Sequence, residues 1–401
     1  MIELEQIKEL SRPTPSRIVL LVIDGLGGLP HPETGKTELE SADTPNLNQL
    51  ATEGICGMID PIAPGITPGS APGHLALFGY DPLQFTVGRG IVEALGIDLE
   101  LKAGDVAARG NFCTVDGDGL VTDRRAGRIS TETCIELCRL LDGMNIDGVS
   151  ISVSPVREHR FAAVFHGEGF LSDLYDSDPQ QEGLPPRVVI ARAPEAEKAA
   201  EIANEFIARA RAKLADYHPA NMLLLRGFSQ HPDLPTINEI YKLNAAAIAA
   251  YPMYLGLAKL VGMTSLPMCT SIEHEFDIFT RYYLKYDFIY LHIKQADSAG
   301  EDGDFERKMR IIEKVDNFLP QVRDSEPDVI VVTGDHSTPA VLKAHSWHPV
   351  PLLLYSKWCP PDGVTKFSER SCIVGALGRF PATQIMPLAL ANALKLKKFG
   401  A

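Results

Sequence analysis

The chain is poor in what a membrane, a disulfide framework or a nucleic acid would need. No window approaches eighteen consecutive apolar residues, so no transmembrane helix is expected. The first residues, Met1-Ile-Glu-Leu-Glu-Gln6, carry no basic segment followed by an apolar stretch, and a cytoplasmic protein is expected. Seven cysteines, scattered from Cys56 to Cys372 without a CxxC pair, give neither a zinc knuckle nor a disulfide pattern and suit a reducing compartment, most of them as packing residues. Positive charge is scarce as well. The 38 basic side chains face 52 acidic ones, a formal net charge of −14, so there is no general attraction to nucleic acid or to an anionic membrane, and an anionic small molecule would need a local basic pocket. No GxxxxGK[ST] loop is present and Gly25-Leu-Gly-Gly28 lacks the spacing of a dinucleotide fingerprint, so no nucleotide cofactor is expected. Internal repeats and low-complexity tracts are absent too.

What is present is a pair of apolar runs that break off into small and metal-competent residues. Ile18–Ile23 ends in Asp24-Gly-Leu-Gly, and the run after Val329 ends in Gly334-Asp-His-Ser-Thr-Pro339. Both read as buried strands of an open, mostly parallel sheet, whose carboxyl ends present a site. At 401 residues the chain predicts two domains. A helix is expected from Asn46 to Glu53, with Thr44-Pro45 at its start. The loop Pro61 to Gly69 has five helix-breaking residues and leads into Ser70, with Ala71-Pro-Gly-His74 entering a helix behind it. From Asp98 shorter elements follow: strands Val106 to Val115, Val149 to Ser154, Arg160 to Phe165, Val188 to Ala191 and Asn221 to Leu225, and helices Thr131 to Leu141 and Ala193 to Leu214. Asp287 to Ile293, helix Phe305 to Phe318, Asp328 to Thr333 and Val350 to Tyr355 then resume strand and helix alternation. The economical arrangement is an α/β sheet domain made of residues 1–97 and 266–401, interrupted by a smaller α/β insert of residues 98–265.

Asp24, Asp297, Glu301, Asp335, His336 and His345 are oxygen and imidazole donors, mostly beside Gly or Ser and after apolar strands. Such donors suit Mn²⁺, Zn²⁺, Fe²⁺ or Mg²⁺ better than a thiolate-selective metal. Each alone has a bland reading: Asp24-Gly is a turn, and His345 is one of eleven histidines. Their joint placement favours a metal site. Ser70 is the candidate nucleophile, although taken alone it reads as a helix cap. It lacks the Gly-x-Ser-x-Gly elbow of a serine hydrolase, so activation by metal fits better than a triad. Arginines gather at Asp123-Arg-Arg-Ala-Gly-Arg128, at Arg157-Glu-His-Arg160, at Arg226 and in Gly88-Arg-Gly90, where guanidinium forks match phosphate and carboxylate oxygens; the alternative is solvated arginines paired with the acidic excess.

Across almost its whole length the chain resembles cofactor-independent (2,3-bisphosphoglycerate-independent) phosphoglycerate mutase of the shorter, archaeal type, within the alkaline phosphatase superfamily. The resemblance rests on Asp24-Gly-Leu-Gly, Ala42-Asp-Thr-Pro-Asn46, Thr67-Pro-Gly-Ser-Ala-Pro-Gly-His-Leu75, Leu77-Phe-Gly-Tyr-Asp-Pro82, Gly88-Arg-Gly90, Thr122-Asp-Arg-Arg-Ala-Gly-Arg128, Lys294-x-x-Asp297, Gly334-Asp-His-Ser-Thr-Pro339 and His345-Ser-x-x-Pro-Val-Pro351. It implies two divalent ions, Mn²⁺ first, with Zn²⁺, Co²⁺ or Mg²⁺ as alternatives, and no 2,3-bisphosphoglycerate. One ion would be held by Asp297, position 301 and His345, the other by Asp24, Asp335 and His336 with Ser70 beside it. Ser70 would take the phosphoryl group from 3-phosphoglycerate and return it to the other hydroxyl of glycerate. Asp123 and Arg124 would handle the glycerate hydroxyls, and Arg157, Arg160 and Arg226 the anionic groups.

Two departures from the family pattern stand out. Glu301 replaces a histidine, and His348 stands where the family has Asn or Asp; His348, His74 and Lys294 are candidates for a supporting donor or a replacement ligand. The expected partner is a small phosphorylated acid, with the protein a monomer or small homo-oligomer. The alternatives are a metal-dependent phosphatase or a mutase for another small phosphorylated metabolite, and a scaffold with a decayed site.

Overall fold

Ile18–Ile23 is a strand in which all six side chains are buried. Because successive strand residues point to opposite faces, a fully buried run requires cover on both. The same holds for Phe288–Ile293 and Val329–Thr333. These three lie side by side and parallel at the centre of a sheet, with Ile23 beside Ile293 and Val22 beside Thr333, so their carboxyl ends reach one edge together. That register puts Asp24, the segment from Lys294 to Asp297, and Asp335-His336 in one neighbourhood.

The computed structural model describes residues 3–97, 99, 101, 102, 104–167, 170–230, 232 and 234–400. It divides into two units, Met1–Thr86 with Leu234–Ala401, and Val87–Asp233. The larger carries an eight-stranded sheet in the order Thr264–Ser265, Ala245–Ile248, Phe288–Ile293, Ile18–Ile23, Val329–Thr333, Val350–Ser356, Ile55–Asp60, Gly378–Pro381. Neighbours are parallel except where Val350–Ser356 runs antiparallel to both of its own. Helices including Pro45–Glu53, Pro252–Leu260, Ile272–Tyr282 and Ile385–Asn392 pack on these strands, and Phe305–Asp324 packs on Ile272–Tyr282 and Pro45–Glu53. No helix among the described residues is long and apolar enough to cross a membrane.

The smaller unit is built on an antiparallel sheet. Val106–Val115 pairs with Arg160–His166, Met222–Gln230 and, at its end, Val121–Asp123, while Val149–Arg157 joins Arg160–His166 to Met144–Ile146. Helices Thr131–Leu141 and Glu197–Leu214 close a core that includes Phe112, Phe161, Phe165, Leu137 and Phe206.

Three expectations change. The insert was placed at residues 98–265, but Leu234 onward belongs to the larger unit, because Ala245–Ile248 pairs parallel with Phe288–Ile293 and Thr264–Ser265 extends that edge. Strands of four and two residues, one of them alanine-rich, leave no period to read, and alanine favours helix until tertiary pairing overrides it. At the other boundary Val87–Ile97 groups with the smaller unit; Asp98 itself lies outside the described residues. Val188 to Ala191 is not a strand. It makes one isolated bridge, Ala191 to Leu174, and the Asn204 side chain serves both the N–H and the carbonyl of Val189 where a neighbouring strand would. Finally, the helix expected from Ala193 begins as a 3-10 turn, Pro194–Ala196, before Glu197–Leu214.

Candidate metal centre

Ser70 opens the helix Ser70–Leu77, with Gly69 as the residue before it, and so stands at the positive end of the helix dipole. The helix comes close to the sheet because residue 73 is glycine: a Cβ there would meet the Asp335 carbonyl oxygen at 2.4 Å. His74, one turn on and fully buried, places Nδ1 2.8 Å from the Ser70 carbonyl and 3.2 Å from Asp335 Oδ2. It therefore fastens the serine's turn to the Asp335 loop. Ser70 Oγ lies 3.4 Å from His336 Nε2.

Around that point the donor atoms fall into two groups, Asp24, Asp335 and His336, and Asp297, His336 and His345, each with its ligand atoms within 4.8 Å of one another. His336 belongs to both. Asp24, Asp297, Asp335 and His336 are inaccessible to solvent. Gly25, at φ +66°, turns the chain after Asp24, and its missing side chain leaves room for Thr338 Oγ1 and the Asp297 backbone, which a Cβ would meet at 2.7 and 2.9 Å. The Gly25 N–H then donates to Asp335 Oδ1 at 3.2 Å.

Thr338 fixes the imidazole chemistry. Its single hydroxyl hydrogen goes to Asp297 Oδ1 at 2.7 Å, so its oxygen accepts from Nδ1–H of His336 at 2.9 Å. The Nε2 lone pair of His336 then faces Asp335 Oδ2 at 3.2 Å and Asp24 Oδ1 at 3.3 Å, acceptor against acceptor. Both carboxylate oxygens are buried without a hydrogen bond of proper geometry. His345 is tied back in the same way, with Nδ1–H donating to the Pro68 carbonyl at 2.9 Å, while its Nε2 lies 3.4 Å from Asp297 Oδ1 and 3.6 Å from Glu301 Oε1, carboxylates that favour a proton or a cation there. Buried acceptors converging with the outer imidazole nitrogens tied back is the donor set that cations satisfy, and the residues fit two divalent ions.

Electrostatics point the same way. Burial works against the Asp24 charge, yet Lys294 and His292 hold its pKa well below the usual carboxylate range. Burial likewise opposes Asp297, whose pKa is lowered by the His345 hydrogen bond and the Lys294 charge. Lys294, 3.4 Å from Asp24 Oδ2 and bonded to Asp297, is held above the ordinary lysine value by those two carboxylates despite its burial. Burial lowers the His345 pKa, but Asp297, the Pro68 carbonyl and Asp335 carry it up to about 9. His336 is pushed down by burial and stays neutral. The raised Lys294 and His345 answer a cluster of negative charge that asks for positive charge.

The remaining expected residues are placed as follows. Glu301 lies in the last turn of the helix Gln295–Asp302 with its side chain 54 % exposed, beside His345 but in neither donor group, and its pKa is raised by burial and by Asp297. His348 is not brought to the donor atoms: its Nδ1 pairs with Ser346 Oγ at 3.0 Å and its ring stacks on Trp347. In the smaller unit, Arg124 grips buried Asp178 with two bonds of 3.0 and 2.7 Å, and Arg226 lies 3.8 Å from the same carboxylate. Burial and the neighbouring Arg109, Arg89 and Arg124 push Arg226 down to about 10, against the pull of Asp178. Asp123 accepts from the Arg125 and Gly127 N–H groups at 2.7 and 2.6 Å, shaping that turn. Arg157 and Arg160 face each other across a hairpin, with Arg157 exposed and Arg160 beside His159.

Reasoning from sequence missed His292, Thr338, Arg109 and Asp178. His292 Nε2–H donates to Asp24 Oδ2 at 3.0 Å while its ring stacks on Tyr254 at 3.7 Å, and burial pushes it down to about 4, so it is a neutral donor. A lone histidine inside an apolar strand was the available signal.

Comparison with known proteins finds relatives over nearly the whole chain. The family model for 2,3-bisphosphoglycerate-independent phosphoglycerate mutase matches residues 51–221. A probable 2,3-bisphosphoglycerate-independent phosphoglycerate mutase of Thermosipho africanus is 49 % identical over 398 residues, 98 % of each chain, and one of Aquifex aeolicus is 48 % identical over 408 residues, 99 % of this chain and all of the other. Among solved structures, a Pyrococcus horikoshii protein superposes with a TM-score of 0.84 at 30 % identity, over 96 % of this chain and 99 % of that one. The cofactor-independent phosphoglycerate mutase of Thermoplasma acidophilum gives 0.73 at 31 %, over 94 % of this chain and all of the other.

Proposed function

The chain belongs to the 2,3-bisphosphoglycerate-independent phosphoglycerate mutase family, and on that premise we propose that it interconverts 3-phosphoglycerate and 2-phosphoglycerate through a phosphoserine at Ser70. The observation that carries the reading is Ser70 at a helix N-terminus, 3.4 Å from the imidazole common to both donor groups. Asp24, Asp335 and His336 would hold one divalent ion and Asp297 and His345 the other, with Glu301 within reach of the second; Mn²⁺ is the expected ion. Bound there, the ions lower the cost of a serine alkoxide and neutralise charge on the phosphoryl oxygens.

The chain's own residues supply the rest. Ser70 Oγ forms a bond to phosphorus as the bond from phosphorus to the glycerate 3-oxygen breaks, and that oxygen takes a proton. The 2-hydroxyl then attacks the phosphoserine, loses its proton and releases Ser70. Asp123, whose carboxylate accepts from two backbone amides of its own turn, would exchange protons with those hydroxyls, and Arg124 would orient them, as the family resemblance implies. Arg226, with Arg89 and Arg109, would grip the substrate's anionic groups; burial and the charges of its neighbouring guanidiniums lower the Arg226 pKa, and a bound anion would relieve that repulsion. Lys294 offsets the charge of Asp24 and Asp297.

The test is conversion of 3-phosphoglycerate by Mn²⁺-loaded protein without added 2,3-bisphosphoglycerate, with free phosphate followed in parallel. Isomer formed with little phosphate supports the mutase. Phosphate released in step with substrate loss means a phosphatase, and inactivity with no metal bound means a scaffold.

A further inference from the structure

Lys308, on the helix Phe305–Asp324, is completely buried although it is not among the donor residues. Its Nζ donates to the Gly27 carbonyl at 3.0 Å and to the Thr338 carbonyl at 2.9 Å. Gly27 lies three residues after Asp24, and Thr338 two residues after His336. The lysine therefore sits across the two loops that carry the donors at the ends of separate strands. Its counter-charge is Glu38, whose Oε1 is 3.8 Å away and accepts from the Ala340 N–H at 2.7 Å, on the same second loop. The two loops also meet directly, through the Thr338 N–H to the Gly27 carbonyl at 3.0 Å. From Thr338 the connection continues through one hydroxyl to Asp297 Oδ1 and His336 Nδ1, one residue from each side of the centre.

A buried ammonium is expensive, and a methionine of similar length would fill the space without desolvating a charge. What the lysine adds is two directed bonds to two carbonyl groups. Neither helix propensity nor core packing needs them.

We propose that Lys308 is a positioning residue for the metal centre, a cationic clamp that holds the Asp24 loop against the Asp335–Thr338 loop so that the donors stand at ligand spacing before an ion arrives. The clamp rests on the two-ion reading above. It acts through Thr338 and Gly27 and touches neither ion nor substrate. Supporting groups behind metal ligands commonly change affinity by 10–100-fold, and the clamp belongs in that range.

The test is calorimetric titration of Mn²⁺ into metal-stripped protein, which needs no turnover. Lys308→Met is expected to weaken Mn²⁺ binding by about tenfold or more. The control is Lys395→Met, which removes another fully buried lysine, bonded to the Thr14 carbonyl at 2.7 Å and separate from this cluster. That variant should lose thermal stability and keep wild-type Mn²⁺ affinity. Wild-type affinity in Lys308→Met, or an equal loss in both variants, overturns the clamp. If the wild type itself binds no Mn²⁺, the two-ion reading fails instead, so the two failures are distinguishable. Should Lys308→Met not fold, Lys308→Gln, polar but uncharged and shorter, removes the same pair of ammonium bonds, and unchanged affinity there overturns the proposal just as well.

Discussion

Asp335 offers the sharpest test of whether the donor cluster is a metal centre or a set of ordinary buried polar groups. Its Oδ1 accepts from Gly25 N–H, while Oδ2 lies 3.2 Å from both the unprotonated Nε2 of His336 and Nδ1 of His74, with no hydrogen bond of good geometry. A buried acceptor left in this state costs about 1–3 kcal/mol. Asn at this position keeps the Gly25 contact, turns its amide N–H toward the Nε2 lone pair of His336 and removes a buried charge close to Asp24, gains that outweigh the weaker contact to His74 Nδ1, which keeps its bond to the Ser70 carbonyl. Asp335→Asn should therefore stabilise the metal-free protein by about 1–2 kcal/mol, and at ~2–4 °C per kcal/mol raise its Tm by roughly 2–8 °C. With metal the order reverses. An ion at a hundred times its Kd stabilises the wild type by about 2.7 kcal/mol, roughly 5–11 °C, and the variant, lacking a ligand charge, should gain much less. Thermal melts of stripped protein with EDTA and across a Mn²⁺ series read both arms. A wild type whose Tm ignores Mn²⁺, or an Asp335→Asn variant less stable than wild type without metal, refutes the reasoning.

Ser70→Ala should fold and bind Mn²⁺ yet lose turnover by several orders of magnitude, since it removes the attacking oxygen; kcat near wild type would sink the phosphoserine, and mass spectrometry of trapped protein would locate it. Arg226→Ala should raise KM or lower kcat/KM by about ten- to a hundredfold, the loss of a contact worth roughly 1.5–3 kcal/mol, with unchanged metal content; wild-type kinetics would make this arginine structural. Glu275 is buried, and burial with the nearby Glu273 charge pushes its carboxyl up to about 8 against a backbone bond at Ala250. The folded protein then holds a proton that the unfolded chain releases near pH 4.5, so this group's contribution falls as pH rises from about 4.5 to 8. Glu275→Gln should match wild type in denaturant melts at pH 5 and be the more stable by up to a few kcal/mol at pH 8.5; equal pH profiles would contradict the burial argument.

The central sheet was legible because its strands are long, wholly apolar and end abruptly. Ile18–Ile23, Phe288–Ile293 and Val329–Thr333 needed no knowledge of partners, only the rule that a continuous apolar run is buried on both faces. The insert boundary was not legible, because it depends on which sheet Ala245–Ile248 joins, and four residues carry no record of their neighbour. Val188 to Ala191 failed for the opposite reason. Its apolar residues satisfied the strand pattern, but Val188 and Ile190 face solvent and Asn204 takes the place of a strand partner.

At the site, sequence named the groups that carry charge and left out those that orient them. Asp24, Asp297, Asp335, His336 and His345 stand out by donor chemistry at strand ends. Thr338 and His292 do not, since a threonine in a loop and a histidine in an apolar strand have commoner explanations, and only the folded chain reveals that one hydroxyl serves both Asp297 and His336. The division of ligands was also beyond sequence reasoning, which assigns each residue to one ion. His336 instead lies in both donor groups, with its ring stacked on His345 at 3.7 Å. That arrangement bears on the glutamate at position 301. If the imidazole between the two groups and His345 already supply nitrogen donors to the outer ion, a carboxylate 3.6 Å from His345 at the open rim adds charge without having to complete the set, and the fold can carry glutamate there with Asp24, Asp335 and Ser70 undisturbed.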